Sequence, residues 1–264
     1  MSARGKRAAS VVEAVTTAPD LRHGRWQDVL ADVTCDAVIV DAPYSDRVHA
    51  GALQRPARLD GVERTPINYS CWGKSEVDEF VASWAPRTSC WIVSITDHLL
   101  MPLWLDAYDR AGLYHFAPVG IVITGMGCRI VGDGPSSWTL YACVARQRRK
   151  MAGGGIWRTL PGGYVGTQAA VVGGGHEGGG GRGKPSWLLD ALVADYSDPG
   201  MTVCDPCAGW GSTLVAAQRL GRCAIGAEVD PDAYAIAARR VRGNEARPRP
   251  EQPSLFASLE SPCT

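Results

Sequence analysis

Short apolar runs rich in β-branched residues alternate along the chain with stretches in which apolar residues recur at helical spacing. The short runs predict buried strands, and the helical spacing predicts amphipathic helices between them. Strands are predicted at residues 36–40, 88–95, 114–124, 138–145, 201–205 and 222–227, and helices at 75–84, 99–111, 185–192, 212–220 and 231–241. This alternation predicts an α/β fold with a mostly parallel central sheet and helices on both faces. Residues 21–30 are predicted to form a helix or turn before the first strand.

Composition narrows the class of protein. The chain has 264 residues, with 27 Lys and Arg against 27 Asp and Glu, so a nucleic-acid surface would have to come from local clusters. Nine scattered cysteines without a disulfide framework, and no visible secretory signal, predict a reducing cytosol. The longest apolar run, 117–123, is too short to span a bilayer, so no membrane partner is expected.

The two ends of the chain differ in composition from its centre. Residues 1–20 begin polar and basic and are predicted to be a flexible tail. Residues 243–264 are rich in Pro and charge and are predicted to be disordered. A single domain is therefore expected over residues 21–242.

One stretch has the pattern of a strand, a glycine turn and a helix. The apolar run that begins at Met201 ends in Asp205 and Pro206, and Gly209 and Gly211 precede the next helix. A ligand can lie against a backbone that has no Cβ, and the start of a helix supplies N–H groups without partners. In α/β folds such ligands lie beyond the carboxyl ends of strands.

A second site is predicted where strand 36–40 runs into Asp41. Pro43 cannot sit inside a sheet, so the strand must stop there, and Asp41 and Tyr44 project from its end. A strand-ending Asp followed by a Pro-Tyr turn is common, and by itself it is equally consistent with a purely structural turn.

Together the two motifs resemble those of the S-adenosylmethionine-dependent DNA amino-methyltransferases, in the permuted order that places the catalytic motif first. The usual catalytic motif is Asp-Pro-Pro-Tyr, and here Ala42 replaces the first Pro. The usual cofactor loop is Asp-Pro-Phe-x-Gly-Ser-Gly, and here Cys207 and Trp210 replace Phe and Ser. The resemblance covers most of residues 21–242 and implies a Rossmann-like methyltransferase fold.

The resemblance implies a chemistry for the catalytic motif. The exocyclic amine of adenine or cytosine is a poor nucleophile, because its lone pair is delocalised into the ring. The Asp41 carboxylate and the carbonyl before or at Pro43 would accept the amine hydrogens and localise that lone pair. Tyr44 would stack on a base that has left the duplex, so the implied partner is double-stranded DNA.

The remaining cofactor residues follow from the helices and strands around the glycine turn. Glu228 ends the strand after the turn, and a carboxylate there suits ribose hydroxyls. Asp230 is predicted to cap the next helix. Lys184 and Pro185 resemble the Lys-Pro start of the helix that precedes the cofactor loop in these enzymes, where the helix walls the methionine end of S-adenosyl-L-methionine.

Between the two motifs, residues 125–183 are rich in glycine and carry a cluster of basic residues interleaved with aromatic ones. Such a composition suits phosphate contact and stacking, although a solvated charged loop would have the same pattern. In the resembled family a target-recognition segment occupies this place.

Two short motifs resemble known functional motifs, but each lacks a part that the function requires. Residues 178–184 have the spacing of a phosphate-binding loop, but Pro185 stands where the metal-binding Ser or Thr is required. Cys204 and Cys207 form a Cys-x-x-Cys pair, but no second pair completes a metal site, so both are predicted to be small apolar side chains.

The resemblance therefore implies a DNA methyltransferase, expected to be cytoplasmic and bacterial or phage-encoded, that methylates the N6 amine of adenine. Asp rather than Ser at position 41 favours adenine over the cytosine N4 amine, which is the first alternative. RNA or protein substrates, and a non-catalytic DNA-binding or clamp-binding relative of the fold, are further alternatives. Residues 252–256 resemble a peptide that docks on the bacterial sliding clamp. A homodimer and a restriction partner are left open.

Overall fold

The computed structural model describes residues 18–48, 70–124, 138–148, 159–167 and 184–244. The strands are β1 Asp20–His23, β2 Cys35–Asp41, β3 Thr88–Thr96, β4 Tyr114–His115, β5 Val119–Thr124, β6 Thr139–Arg146, β7 Gly163–Thr167, β8 Thr202–Asp205 and β9 Cys223–Glu228. The helices are α1 Trp26–Val29, α2 Lys74–Trp84, a 3-10 turn Ala85–Arg87, α3 Met101–Arg110, α4 Ser186–Tyr196, α5 Ser212–Arg219 and α6 Pro231–Asn244. Within the described ranges, no helix is both long and apolar enough to cross a membrane.

One sheet contains all of these strands. Its order is β1-β9-β8-β2-β3-β6-β5-β7, and β4 pairs with β6 beside this path. In the part of this order from β1 through β9, β8 and β2 to β3, each strand is parallel to the next. Strand β6 runs antiparallel to β3, β4 and β5. The predicted α/β fold with a mostly parallel sheet is confirmed, and β6 adds the antiparallel strand that the pattern of residues does not reveal.

Strand β2 shows how the sheet separates two apolar layers. Successive side chains of a strand point to opposite faces. Val38 and Val40 pack with the residues of α1, α2 and α3, whereas Ile39 packs with the residues of α4 and α5 on the other face. A continuous apolar strand is therefore buried on both sides, as expected for the centre of a parallel sheet.

The first of these layers is built on aromatic rings. The fully buried Phe80 lies 5.4 Å from Trp26 and from Trp72, and 5.5 Å from Trp104, measured between ring centroids. Phe80 belongs to the face of α2 that the sequence predicts to be buried, together with Val77, Val81 and Trp84. These rings pack α2 and α3 against the sheet, and Trp72 donates its backbone N–H to the loop that carries Tyr44.

Three local predictions differ from the structure. The segment 21–30, predicted as helix or turn, begins with strand β1 because pairing with β9 orders a polar edge strand that has no apolar run of its own. The predicted strand 114–124 is divided into β4 and β5, since Pro118 cannot donate a ladder hydrogen bond. Helix α2 begins at Lys74, before the expected cap Ser75, and the Glu76 carboxylate accepts the N–H of Gly73.

The described parts of residues 125–183 contribute to the central sheet as β6 and β7. Tyr164 on β7 is buried, and its hydroxyl donates to the Asp195 carboxylate at 2.8 Å. The guanidinium of Arg146 lies 5.6–5.8 Å from the centroids of three aromatic rings, those of Trp91, Tyr114 and Phe116. Arg149, Lys150, Trp157 and Arg158 lie outside the described residues, so target recognition by this segment stays a prediction.

The aromatic layer generates a stability prediction. We expect Phe80→Ala to lower the free energy of unfolding by about 3–5 kcal/mol, because it leaves a cavity between rings that cannot collapse onto it. Val165→Ala is the control, since Val165 is 74% exposed on the edge strand β7 and its truncation should change stability by less than about 0.5 kcal/mol. Urea denaturation of both variants measures the difference. Equal, small losses would contradict the proposed packing.

Candidate active site

Three acidic side chains end three neighbouring strands. Asp41 is the last residue of β2, Asp205 of β8 and Glu228 of β9. These strands are adjacent and parallel, so their carboxyl ends meet at one edge of the sheet. Besides burial, the negative charges of Asp41 and Glu228 both contribute to raising the pKa of the Asp205 carboxyl. The structure thus brings together the ends of the predicted catalytic and cofactor motifs.

The Asp41 carboxylate is held by two donors. The Tyr44 hydroxyl donates to Oδ1 at 2.8 Å, and the Lys184 ammonium donates to Oδ2 at 2.7 Å. Lys184 Nζ also lies 4.9 Å from the centroid of the Tyr44 ring. The sequence predicts a cofactor role for Lys184, whereas the structure gives it contacts with the catalytic motif at the start of α4.

The backbone after Asp41 is anchored at several points. Ala42, which stands where the resembled family has Pro, is buried in the core, and Pro43 is half-buried. The Tyr44 carbonyl accepts the N–H of Trp72 at 3.1 Å. Ser45 donates its N–H to Asp97 Oδ2 at 2.8 Å. The motif is therefore a fixed turn, and it holds the side chains of Asp41 and Tyr44 in contact with each other.

Asp97, which directly follows β3, accepts hydrogen bonds from two different segments. Its Oδ1 accepts the N–H groups of Leu99 and Leu100 just before α3, and its Oδ2 holds Ser45. Burial opposes ionisation of Asp97, but the N–H groups of Ser45, Leu100 and Leu99 outweigh it and lower the pKa of the carboxyl. Asp97 thus caps the turn before α3 and also positions the loop that carries Tyr44.

The glycine turn between β8 and α5 depends on its two glycines for different reasons. Gly209 has φ +53°, its missing Cβ faces open space, and its N–H donates to Glu228 Oε2 at 2.7 Å. Gly211 has φ +74°, and a Cβ there would lie 3.1 Å from the Cβ of Ala237 on α6. Gly209 therefore offers open backbone to a ligand, whereas Gly211 makes room for a helix.

Helix α6 supports the turn with more than this contact. The Arg240 guanidinium donates to the Trp210 carbonyl at 2.6 Å and to the Ser212 hydroxyl at 3.1 Å. Arg240 is separated from the turn by 30 residues in the sequence, and no local motif marks it. Sequence reasoning therefore missed Arg240 as a residue that shapes the turn.

Glu228 and Asp230 have the positions that the sequence predicts. Asp230 Oδ1 accepts the N–H groups of Asp232 and Ala233, which makes it the cap of α6. Glu228 Oε1 accepts the N–H of Asp230 at 2.8 Å, while Oε2 accepts Gly209. Burial raises the pKa of Glu228. These bonds fix the carboxylate at the edge of the turn, and each oxygen keeps a lone pair for a hydroxyl.

Asp205 is the most perturbed acid of the site. It is only 2% exposed, and burial raises the pKa of its carboxyl to about 7, with smaller contributions from Asp41 and Glu228. The Thr213 hydroxyl and the Cys207 N–H act in the opposite direction. A cation placed beside Asp205 would favour the ionised carboxylate, so this site is suited to a positively charged ligand.

The arrangement fits the cofactor that the sequence predicts. Open backbone at Gly209, hydroxyl-accepting oxygens at Glu228 and an acidic group at Asp205 match a ligand with a sugar and a positive charge. Cys204 belongs to the buried apolar core, and the partly buried Cys207 packs against that core. No group of three or more potential metal-binding side chains occurs among residues that the structure describes.

Comparisons with known proteins also find similarity to DNA methylases. A model of the N6/N4 methyltransferase family, described as DNA methylase, matches residues 175–239. That segment includes Lys184 and the glycine turn and ends within α6, but it does not include the catalytic motif. No curated protein sequence matches the chain.

Solved structures match over most of the chain. M1.HpyAVI in complex with SAM aligns with a TM-score of 0.62 at 16% identity, covering 84% of this chain and 98% of that one. A candidate DNA modification methylase from Thermus thermophilus, complexed with S-adenosyl-L-methionine, gives 0.56 at 19% identity, with 86% and 94% covered. The PvuII DNA methyltransferase, which is cytosine-N4-specific, gives 0.56 at 12% identity, with 85% and 86% covered.

The fold is therefore the Rossmann-like fold of the methyltransferases, as the sequence predicts. Over residues 175–239, the cofactor half, the match to the DNA methylase model confirms the resemblance to the N6/N4 DNA methylases. The cofactor expected from the sequence is the one bound in two of the similar structures.

The buried Asp205 generates a prediction about pH. In the unfolded chain this carboxyl ionises near its ordinary value, and in the folded protein only near pH 7, so the folded state loses stability as pH rises between these values. We expect Asp205→Asn, measured without cofactor, to gain on the order of 2–4 kcal/mol over the original protein between pH 4 and pH 8.

Urea denaturation at several pH values measures this gain. Asp232→Asn, which removes an exposed carboxylate in the first turn of α6, controls for the change in net charge. Parallel stability curves for the original protein and Asp205→Asn would show that Asp205 ionises at the same pH in the folded and unfolded states, and the prediction would be wrong.

Proposed function

We propose that the protein is an S-adenosyl-L-methionine-dependent DNA methyltransferase that methylates the N6 amine of adenine in a base flipped out of the duplex. One observation carries this proposal: Asp41 ends β2 and Tyr44 follows in the next turn, and β2 lies beside β8, which ends in Asp205 before the glycine turn. A group that accepts amine hydrogens thus lies beside a turn suited to the methyl donor.

Asp41 is the group that activates the amine. Its carboxylate accepts one N–H of the base, and a carbonyl of the turn at Ala42 or Pro43 accepts the other. Both acceptors make the nitrogen tetrahedral and aim its lone pair out of the plane of the ring. They belong to a turn that is anchored through Trp72 and Asp97, so little reorganisation is needed when the base arrives.

Tyr44 is the proposed stacking residue. Its hydroxyl bond to Asp41 and its backbone bond to Trp72 fix the ring on the same turn as the acceptors. Stacking of a flipped base on such a ring contributes about 1–3 kcal/mol, which offsets part of the unstacking cost.

The cofactor is held by residues at the ends of β8 and β9. Asp205 and Pro206 begin the turn, Gly209 and Gly211 shape it, and Glu228 supplies the acceptors for ribose. When bound, the cofactor supplies a methyl group on a positively charged sulfur, which a nucleophilic amine can attack. Asp205 becomes the counter-charge of that cation, and its ionisation is then favoured.

Adenine is proposed over cytosine because Asp stands at position 41. The support is limited to that residue type, and the cytosine-N4-specific PvuII enzyme is among the similar structures. Cytosine N4 is therefore the second candidate. Both bases present an exocyclic amine to the same acceptors, so the mechanism does not change with the base.

The partner of the proposed reaction is double-stranded DNA, in the cytoplasm. Residues 125–183 are proposed to supply target recognition. The clamp-binding peptide 252–256 lies outside the described residues and stays a prediction, as does a homodimer. A non-catalytic relative of the fold would be expected to lose the acceptors at position 41, and here they are held in place by Tyr44 and Lys184.

The decisive experiment follows labelled methyl from S-adenosyl-L-methionine into mixed-sequence duplex DNA, with nucleoside analysis of the product. We expect label in N6-methyladenine, and a decrease of at least about 100-fold in Asp41→Ala, because one of the acceptors that stabilise the transition state is lost. Binding of S-adenosyl-L-methionine by that variant should persist.

Asp106→Ala is the matched control, because Asp106 is an exposed carboxylate on the surface of α3. It should retain the original activity. Label in N4-methylcytosine would keep the mechanism and replace the base. Absence of label in DNA, with cofactor still bound, would contradict the proposed substrate.

A further inference from the structure

Lys184 makes two contacts with the catalytic motif. Its ammonium donates to Asp41 Oδ2 at 2.7 Å and lies 4.9 Å from the centroid of the Tyr44 ring. The side chains of Lys184 and Asp41 are 13% and 28% exposed, so the pair is largely shielded from water. Lys184 reaches this place from the start of α4, 143 residues away in sequence.

These two contacts are the ones that a target base needs. A flipped adenine or cytosine must direct an N–H donor of its amine to the Asp41 carboxylate and lay its ring against Tyr44. An ammonium is also an N–H donor, and a cation over an aromatic ring is a favourable neighbour. The amine of the base and the ammonium of Lys184 cannot occupy the same position.

We infer that the Lys184 ammonium is a stand-in for the amine of the target base, which holds Asp41 and Tyr44 in their working positions and is displaced when the base enters. This inference rests on the proposed function. Lys184 is thus a positioning residue of the base site, and the cofactor role that its sequence context suggests is a separate one.

The stand-in has a consequence for specificity. When Lys184 leaves, Asp41 is a largely buried carboxylate that needs a new donor, and leaving it unpaired is unfavourable. The amine of adenine or cytosine supplies that donor. Thymine carries the O4 carbonyl where cytosine carries its amine, so it would place an acceptor, not a donor, against the Asp41 carboxylate. Displacement of Lys184 therefore selects for a base with an amine before any chemistry occurs.

Steady-state methylation of unmethylated duplex DNA tests the inference. In Lys184→Met the competitor is lost, so we expect the KM for DNA to fall by about threefold to tenfold, which corresponds to the strength of a partly exposed ion pair. We expect kcat to change by less than about twofold, since the lysine is absent from the reacting complex. Binding of S-adenosyl-L-methionine should be unchanged.

Two further variants make the result specific. Lys184→Arg keeps a charged donor at the site and should retain a KM for DNA close to the original. Lys74→Met removes an exposed lysine of α2 that pairs with Asp78 and Asp106 and not with Asp41, and it controls for the loss of one positive charge.

Each other outcome overturns the inference. A higher KM for DNA in Lys184→Met would make Lys184 a DNA-binding residue. Weaker S-adenosyl-L-methionine binding would make it a cofactor residue. A lower kcat at unchanged KM would make it a residue that acts during the reaction. If the original protein transfers no methyl to DNA, the proposed function fails, and this is a different result from an active protein whose KM does not fall.

A second measurement tests the contact without any methylation. Reductive methylation with formaldehyde and cyanoborohydride as the hydride donor, followed by mass spectrometry, reports the reactivity of each lysine in the free protein. We expect Lys184 to react more slowly than Lys74, and to react several times faster in Asp41→Asn, where the ion pair is lost. An equal rate for Lys184 in the original protein and in Asp41→Asn would overturn the inference.

Discussion

The parallel pairing of β2 with β8 is the interaction on which the site depends. It places Val38 beside Cys204, and two strands that are far apart in sequence then end side by side in Asp41 and Asp205. In the proposed function neither motif acts without the other, because the amine acceptor and the methyl donor must meet at one edge of the sheet. The apolar layers on both faces stabilise this pairing, since β2 is buried on each side.

Around that edge, polar groups are held by backbone N–H groups and by each other. Asp97 fixes the loop after Tyr44, Glu228 fixes Gly209, and Arg240 fixes the turn from α6. Each of these bonds holds a part of the proposed site in place. Burial raises the pKa values of Asp205 and Glu228 within this site, so a positively charged ligand beside them would favour their ionised forms.

The position of Lys184 links the two halves of the site. Helix α4 belongs to the cofactor half by sequence, and it lies within the matched family segment. Its first residues nevertheless reach the catalytic turn and pair with Asp41. In the proposed function, the helix that walls the cofactor is therefore preceded by the residue that contacts the base site.

By itself the sequence determined the elements and the motifs. Apolar periodicity predicted β2, β3, α2 and α6 closely, because these segments are long or buried on both faces, and local turn chemistry identified the residues at positions 41, 205 and 228. It missed β1 and the antiparallel direction of β6, since edge pairing and strand direction leave little trace in a run of residues. The distant partners of Asp41, Asp97 and Trp210, which are Lys184, Ser45 and Arg240, were decided only by the tertiary structure. A hydrogen bond between residues that are tens of positions apart depends on where the sheet brings them, and no local pattern encodes that distance.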